Sequence, residues 1–231
     1  MTEAEWHICT DPQPMLDFLR ASGRVTERRL RLFVCASTRL LWEHLQPGVM
    51  QEAVEAGERH ADGAAWEDEC QRLNFLLTAL PVEYRKQEGR NWFADQTKEA
   101  LAAYMGASRC VSHRLGLSKL PHRHMWEMHA EVTGPQQPAL LRDIFGDPFS
   151  PPPTLSPSLL TWNDGLIVKL AEVAYNERAL PSGKLDPQRL AVLADALEEA
   201  GCADAGLLAH LRSPGPHVRG CWGVDVVLQW G

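Results

Sequence analysis

Residues that start and stop helices recur along this chain, and apolar residues lie between them at helical spacing. Thr2 and Glu5 have the spacing of a capping box, in which each side chain accepts a hydrogen bond from a backbone N–H at the helix start. Asp11, Thr26 and Asp186 occupy positions typical of N-caps. Before the C-terminal tail, no stretch alternates convincingly between apolar and polar residues as a half-buried strand would. The chain is therefore predicted to form an all-α, multi-helix globular bundle, in one body or as two packed helical subdomains.

The same residue types place individual helices. The spacing predicts one helix over residues 64–80 and another over 91–105, and Thr161 or Asn163 should cap a later one. Residues 221–230 alternate like a strand but also suit a helix. We favour the helix there, because a single strand would have no partner.

A proline-rich stretch marks the best candidate connection in the chain. Five of the 16 prolines lie between Asp147 and Ser158, and the fixed φ angle of proline, with its missing N–H, favours extended chain over helix. We therefore divide the sequence into an N-terminal helical region, 1–136, and a C-terminal helical region, 137–231. The second region includes the connection at 147–157.

The net charge bears on which partners are expected. The 23 Lys and Arg residues against 30 Asp and Glu residues give a formal charge of -7, which opposes general attraction to nucleic acid. One basic stretch stands out, and we interpret its arginines as the solvated face of an amphipathic helix. They are Arg24, Arg28, Arg29, Arg31 and Arg39. A nucleic-acid-associated protein that uses this arginine face is therefore a third hypothesis, ranked below the two given at the end of this subsection.

Targeting features point to the cell interior. No apolar run approaches the ~20 residues that span a bilayer, and the first residues resemble no secretory signal. Six cysteines lie far apart in the chain, a pattern that favours reduced thiols over a disulfide framework. We expect a cytoplasmic protein that does not associate with membranes.

Several phrases of the sequence resemble one family. They are MTEAEWxxCTDPxxMLxFL and ERRLRLFVCA near the start, then ALLRDIFGDPF, WNDGLIVKLAEVAYNERAL, LAVLADALEEAGCADAGLLAHLR and GPHVRGCW. They are similar to a large paralogous family of short planctomycete proteins, and VLADALEEAG is similar to the LADWLEERG phrase of the planctomycete repeat-companion domain. The resemblance covers residues 1–60 and 139–228, and 64–133 form a divergent middle. It implies a bacterial, intracellular protein and brings no catalytic residues with it.

Four residues of the types that ligate zinc lie within a 20-residue window near the end of the chain. They are Cys202, His210, His217 and Cys221, and zinc takes four such donors at tetrahedral corners. No C-x-x-C pair is present, and only His217 and Cys221 lie one helical turn apart. The favoured interpretation is therefore structural, with buried cysteines and histidines that bond helix ends or solvent. A zinc site and a catalytic Cys–His pair are the alternatives.

A second cluster of titratable residues lies in the middle of the chain. His122, His124, Glu127 and His129 lack the H-E-x-x-H spacing that places two zinc ligands one turn apart. A short helix that shows these histidines to solvent is the favoured interpretation.

No catalytic motif of high specificity occurs in the sequence. The amphipathic helices therefore predict a non-enzymatic interaction or adaptor protein with a protein partner. The alternative is a zinc-binding structural or hydrolytic protein that uses the four C-terminal residues. No cofactor other than this zinc is expected.

Overall fold

The structure is a computed structural model that describes residues 1–23, 25–63, 67–112 and 131–230. Within these ranges the protein is all-α and helix packs on helix, which confirms the predicted fold class. None of the helices in the described ranges is long and apolar enough to cross a membrane.

The chain divides into two compact units, each described by itself below. The central unit comprises Cys9–Pro138, and the terminal unit comprises Met1–Ile8 together with Ala139–Gly231. The division in mid-chain lies close to the predicted one, but Met1–Ile8 belong with the C-terminal part. One reason is that the guanidinium of Arg142 donates hydrogen bonds of 3.0 and 2.7 Å to the carbonyl oxygen of Trp6.

Twelve helices are labelled within the described ranges. They are α1 (Glu3–Ile8), α2 (Pro12–Ser22), α3 (Glu27–Arg39), α4 (Val49–Ala61), α5 (Glu67–Glu88), α6 (Trp92–Asp95), α7 (Lys98–Cys110), α8 (Gln137–Phe145), α9 (Pro157–Asn176), α10 (Pro187–Glu199), α11 (Ala205–Leu211) and α12 (Trp222–Leu228). In the central unit, α3, α4, α5 and α7 enclose one apolar core. In the terminal unit, α9 to α12 enclose another.

Local capping accounts for several of the helix starts. The backbone N–H of Thr2 donates to Glu5 at 2.7 Å and that of Glu5 donates to the Thr2 hydroxyl at 3.3 Å, as the capping box predicts. The predicted caps Asp11, Thr26 and Asp186 each accept a hydrogen bond from the first turn of α2, α3 and α10. The helix favoured for the C-terminal tail is also confirmed, since α12 occupies it.

Helix α5 continues past the predicted end at residue 80 and contains Pro81. Proline has no N–H, so it leaves the carbonyl four residues before it without a helical partner. That carbonyl belongs to Leu77, and the hydroxyl of Tyr104 on α7 donates to it at 3.1 Å. The predicted end was wrong, because the helix continues through Pro81. A side chain from α7 supplies the donor that the Leu77 carbonyl loses.

Two other predicted boundaries were also wrong. The single helix expected over 91–105 is two helices, because Thr97 has extended backbone and its hydroxyl caps α7. Ser156 caps α9, in place of Thr161 or Asn163. Residues 162–165 instead interrupt α9 with a kink, and Asn163, Asp164 and Gly165 are left-handed at φ 48°, 56° and 74°. Asn, Asp and Gly tolerate this conformation better than most residues.

Two arginines of α3 are buried, which corrects the prediction of a solvated face. Arg39 is 4% exposed and donates two hydrogen bonds, of 2.6 and 2.9 Å, to Glu58. Arg31 is 1% exposed and donates to the carbonyl oxygens of Cys110 and Ser112 at 2.7 and 3.0 Å. A buried guanidinium is tolerated when acceptors of this kind satisfy it.

Two glycines of the central unit lie where helices approach closely. A Cβ on Gly57 of α4 would lie 2.7 Å from the carbonyl oxygen of Cys110. A Cβ on Gly106 of α7 would lie 2.4 Å from the hydroxyl oxygen of Thr38. Neither position accepts a larger residue unless its neighbour shifts.

Some residues singled out in the sequence lie outside the described ranges. They are Arg24 of the basic stretch and the cluster His122, His124, Glu127 and His129.

Candidate metal centre

Four polar side chains of the terminal unit converge on one point. They are Asp143, His210, His217 and Cys221, and one ligand atom from each lies within 4.8 Å of the others. Asp143 is on α8, and His210 is in the last turn of α11. His217 is in the loop that follows α11, and Cys221 immediately precedes α12. Three separate segments of the chain therefore contribute to the cluster.

The two oxygens of Asp143 have different partners. Oδ1 lies 2.9 Å from Nδ1 of His217, and Oδ2 accepts a hydrogen bond of 2.9 Å from the backbone N–H of Val218. The carboxylate is 2% exposed. Oδ2 is thus held by the backbone, and Oδ1 is directed at the other side chains of the cluster.

Backbone contacts fix the orientation of His217. Its Nε2–H donates to the carbonyl oxygen of Ser213 at 3.0 Å, and its own carbonyl accepts from the N–H of Leu185 at 2.9 Å. The chain turns sharply just before it at Gly215, where φ is +85° and a Cβ would lie 2.7 Å from the backbone nitrogen of His217. Glycine is required there because other residues rarely adopt this φ. The imidazole is consequently held with Nδ1 facing the cluster.

His210 and Cys221 complete the arrangement. Nε2 of His210 lies 3.1 Å from Sγ of Cys221 and 3.4 Å from Oδ1 of Asp143. Sγ of Cys221 lies 3.7 Å from Nδ1 of His217. Each of the four side chains therefore directs a ligand atom at the other three.

Burial and mutual charge set the protonation of the cluster. Burial alone would raise the pKa of Asp143, but hydrogen bonds and charge from His210 and His217 hold it below its usual value. Burial alone would lower the pKa of His217, but the Asp143 carboxylate and the Ser213 carbonyl raise it. Burial, with the charge of Asp143, raises the pKa of the Cys221 thiol well above its usual value. Without a metal near neutral pH, Asp143 is thus ionised and Cys221 is a thiol, and the raised pKa of His217 favours its protonated form.

These protonation states disfavour a catalytic cysteine. A cysteine nucleophile reacts as the thiolate and is found where its pKa is lowered and solvent has access. Cys221 is 0% exposed and its pKa is raised. The Cys–His pair considered from the sequence is present at 3.1 Å as His210 and Cys221, but its surroundings do not activate the thiol.

The spacing of the donors can be compared with that around a zinc ion. Zinc bonds of about 2.0–2.3 Å place neighbouring ligand atoms about 3.3–3.8 Å apart at the corners of a tetrahedron. Four of the six separations between the ligand atoms are 2.9, 3.1, 3.4 and 3.7 Å, and all six are within 4.8 Å. The two shortest are hydrogen-bond distances, and the other two fall in the zinc range. The hydrogen bond from His217 Nε2 to a carbonyl is also the contact that orients a metal-binding imidazole. One sulfur, two nitrogens and one oxygen are donors of the types that zinc takes.

The structure brings together three of the four residues singled out in the sequence. Cys202 is not among the converging donors, because it directly follows Gly201, where α10 ends, and packs into the apolar core beside Leu197 and Leu207. Asp143 takes its place and was missed by sequence reasoning, because 67 residues separate it from His210. A sequence signal did exist, since Asp143 is an acidic residue in the apolar run LLRDIF.

Comparison of the chain with protein-family models, curated proteins and solved structures returned no match. The similarity to planctomycete proteins therefore stays a prediction.

Proposed function

We propose that the terminal unit binds one zinc ion through Asp143, His210, His217 and Cys221. The observation that carries the proposal is the convergence of four potential ligand atoms in a largely buried site. Buried polar groups are usually paired one to one, whereas here a carboxylate, two imidazoles and a thiol all face one another. A cation at the centre would satisfy all four.

The chemistry of the donors favours zinc over the harder cations. Thiolate and imidazole are the ligands that zinc prefers, whereas magnesium and calcium take oxygen ligands. Zinc imposes no geometric preference of its own beyond four-coordination in such sites. One sulfur, two nitrogens and one oxygen therefore suit zinc best.

The number of donors favours a structural role over a hydrolytic one. A hydrolytic zinc keeps one coordination position open for water, whereas a structural zinc has four protein ligands. Here four side chains supply four donors, the number that a structural zinc site uses. Because the ligands come from α8, α11 and the segment before α12, the ion would join three parts of the terminal unit. Its binding energy would then contribute to the stability of the fold.

Metal analysis of protein purified without added metal tests the proposal. The expected result is about one zinc ion per chain, as for a structural site with four protein ligands. Asp143→Asn and Cys221→Ser should each weaken zinc binding by about 100-fold or more. Loss of a residue that only hydrogen-bonds to a metal ligand already lowers metal affinity about 10- to 100-fold, and these substitutions change ligands themselves.

Cys202→Ser is the matched control. It changes a second buried cysteine of the same unit that lies apart from the converging donors, so this variant should keep its zinc. Absence of zinc from the wild-type protein, with no uptake on titration, would contradict the proposal. Loss of zinc in the control with retention in Asp143→Asn would contradict the ligand set.

Interaction with a protein partner, expected from the sequence, is a second candidate function. It is favoured by apolar side chains that the central unit leaves in solvent: Phe75 is 71% exposed and Val82 is 53% exposed. These residues are seven positions apart on α5, which puts them on one side of the helix. Co-purification from the native host and light scattering test it. A strictly monomeric protein that retains no partner would contradict it.

A further inference from the structure

The four donors of the cluster differ in their access to solvent. Asp143 and His217 are 2% exposed and Cys221 is 0% exposed. The side chain of His210, in contrast, is 17% exposed. Among the four donors, solvent therefore reaches the cluster mainly along the His210 imidazole.

The indole of Trp222 lies against this imidazole. The two ring centroids are 4.7 Å apart and the ring planes are inclined by 35°, which is within the range of aromatic contact. Trp222 directly follows Cys221 in the chain and is itself partly buried. The residue next to one donor thus packs on the ring of another.

Two glycines provide the space for these rings. A Cβ on Gly146 would lie 3.1 Å from the Trp222 indole, and φ at this glycine is +68°. A Cβ on Gly223 would lie 2.9 Å from Cδ2 of His210. A larger residue at Gly146 would displace the indole, and one at Gly223 would displace the imidazole.

We propose that Trp222 is a positioning residue that covers the His210 edge of the zinc site and slows release of the ion. This inference rests on the zinc site proposed above. Trp222 donates no ligand atom, so it acts through His210.

The physical argument concerns the order in which ligands leave. A chelator or water molecule must first replace one donor, and His210 is the donor that solvent reaches. For that replacement the imidazole has to turn away from the ion, and the packed indole opposes this movement. Removing the indole should therefore raise the dissociation rate of zinc while the protein stays folded.

Competition with a chromogenic chelator tests the proposal. Wild-type protein loaded with one equivalent of Zn²⁺ is mixed with excess 4-(2-pyridylazo)resorcinol, and zinc release is followed by absorbance. Trp222→Leu should release zinc about tenfold faster or more, and Trp222→Phe less than about threefold faster, because outer contacts of a metal ligand typically matter 10- to 100-fold. Phenylalanine keeps a ring against His210, whereas leucine keeps only apolar volume.

Trp230→Leu is the matched control, because Trp230 is a tryptophan of the same unit that packs on Tyr175. Its release rate should equal that of the wild type. Circular dichroism checks each variant, and if Trp222→Leu does not fold, Trp222→Met supplies the same test. Equal release rates in the wild type and in folded Trp222→Leu, or in folded Trp222→Met, would overturn the proposed role of Trp222 while leaving the zinc site intact. No zinc uptake by the wild type would overturn both the zinc site and the proposed role of Trp222.

Discussion

The central and terminal units bury polar groups in two different ways. In the central unit, two hydrogen bonds join the Arg39 guanidinium to the Glu58 carboxylate, and Arg39 also lies over the Trp42 ring. In the terminal unit, Asp143 faces both His210 and His217, and each imidazole also faces Cys221. The first arrangement joins one cation to one anion. In the second, four ligand atoms from different side chains converge.

The two arrangements should respond differently when one of their residues is changed. Breaking the Arg39–Glu58 ion pair should affect stability alone, because neither residue belongs to the converging cluster. A convergent cluster couples stability to whatever binds at its centre. The four predictions below test this comparison or the packing around it.

The largest loss of stability is expected from breaking the Arg39–Glu58 ion pair. Glu58→Ala leaves the Arg39 guanidinium buried without its carboxylate, so it should lower the free energy of unfolding by about 3–5 kcal/mol. Urea denaturation followed by circular dichroism measures the change. Zinc content should not change.

Glu69→Ala is the control for this variant. It removes a partly exposed ion pair with Arg59, and such pairs contribute about 1 kcal/mol or less. Equal losses in the two variants would show that burial does not distinguish the Arg39–Glu58 pair.

The next effect concerns pH in protein stripped of metal. The pKa of His217 is raised in the folded state, because the Asp143 carboxylate outweighs burial. The stabilisation is therefore complete below the unfolded pKa of histidine and is lost as pH rises through the higher folded pKa. Unfolding in a pH series around neutrality should show stability falling with rising pH.

His217→Gln should remove this dependence. At the acidic end of the series it should also cost about 2–3 kcal/mol, the range for hydrogen bonds to charged groups. A wild-type protein whose stability rises with pH over the same interval would show that the assignment of the proton to His217 is wrong.

A third prediction concerns close helix packing in the central unit. Gly106→Ala puts a Cβ 2.4 Å from the Thr38 hydroxyl and should cost about 1–3 kcal/mol by overpacking. Alanine is otherwise the better helix former by about 1 kcal/mol, so a loss identifies the close approach as the cause. Gly134→Ala, where a Cβ meets open space, should be nearly neutral in the same thermal unfolding assay.

The smallest effect is expected at the proline of α5. Tyr104→Phe removes the hydroxyl that bonds the Leu77 carbonyl and should cost about 1 kcal/mol. In a Pro81→Ala background the alanine supplies the missing backbone N–H, so the same substitution should cost clearly less. A double-mutant cycle measures the coupling. Additive costs would show that the hydroxyl does not replace the helical donor.

Part of the terminal site could be predicted from the sequence. His210, His217 and Cys221 lie within 12 residues of one another, so their residue types alone draw attention to them. Cys202 belongs to the same window and is buried in the apolar core, but its thiol is not among the converging donors. Asp143 is remote in sequence, and only folding brings α8 beside the loop of His217.

The sequence by itself determined the helical class and many helix starts of this protein. Caps such as Thr2, Asp11 and Asp186 act on backbone groups two or three residues away, so local sequence suffices to place them. The tertiary structure decided where buried charges go and which donors meet. Arg39 finds Glu58 on a neighbouring helix, Pro81 is tolerated beside Tyr104, and Asp143 completes the cluster, because each of these contacts joins residues that only packing brings together.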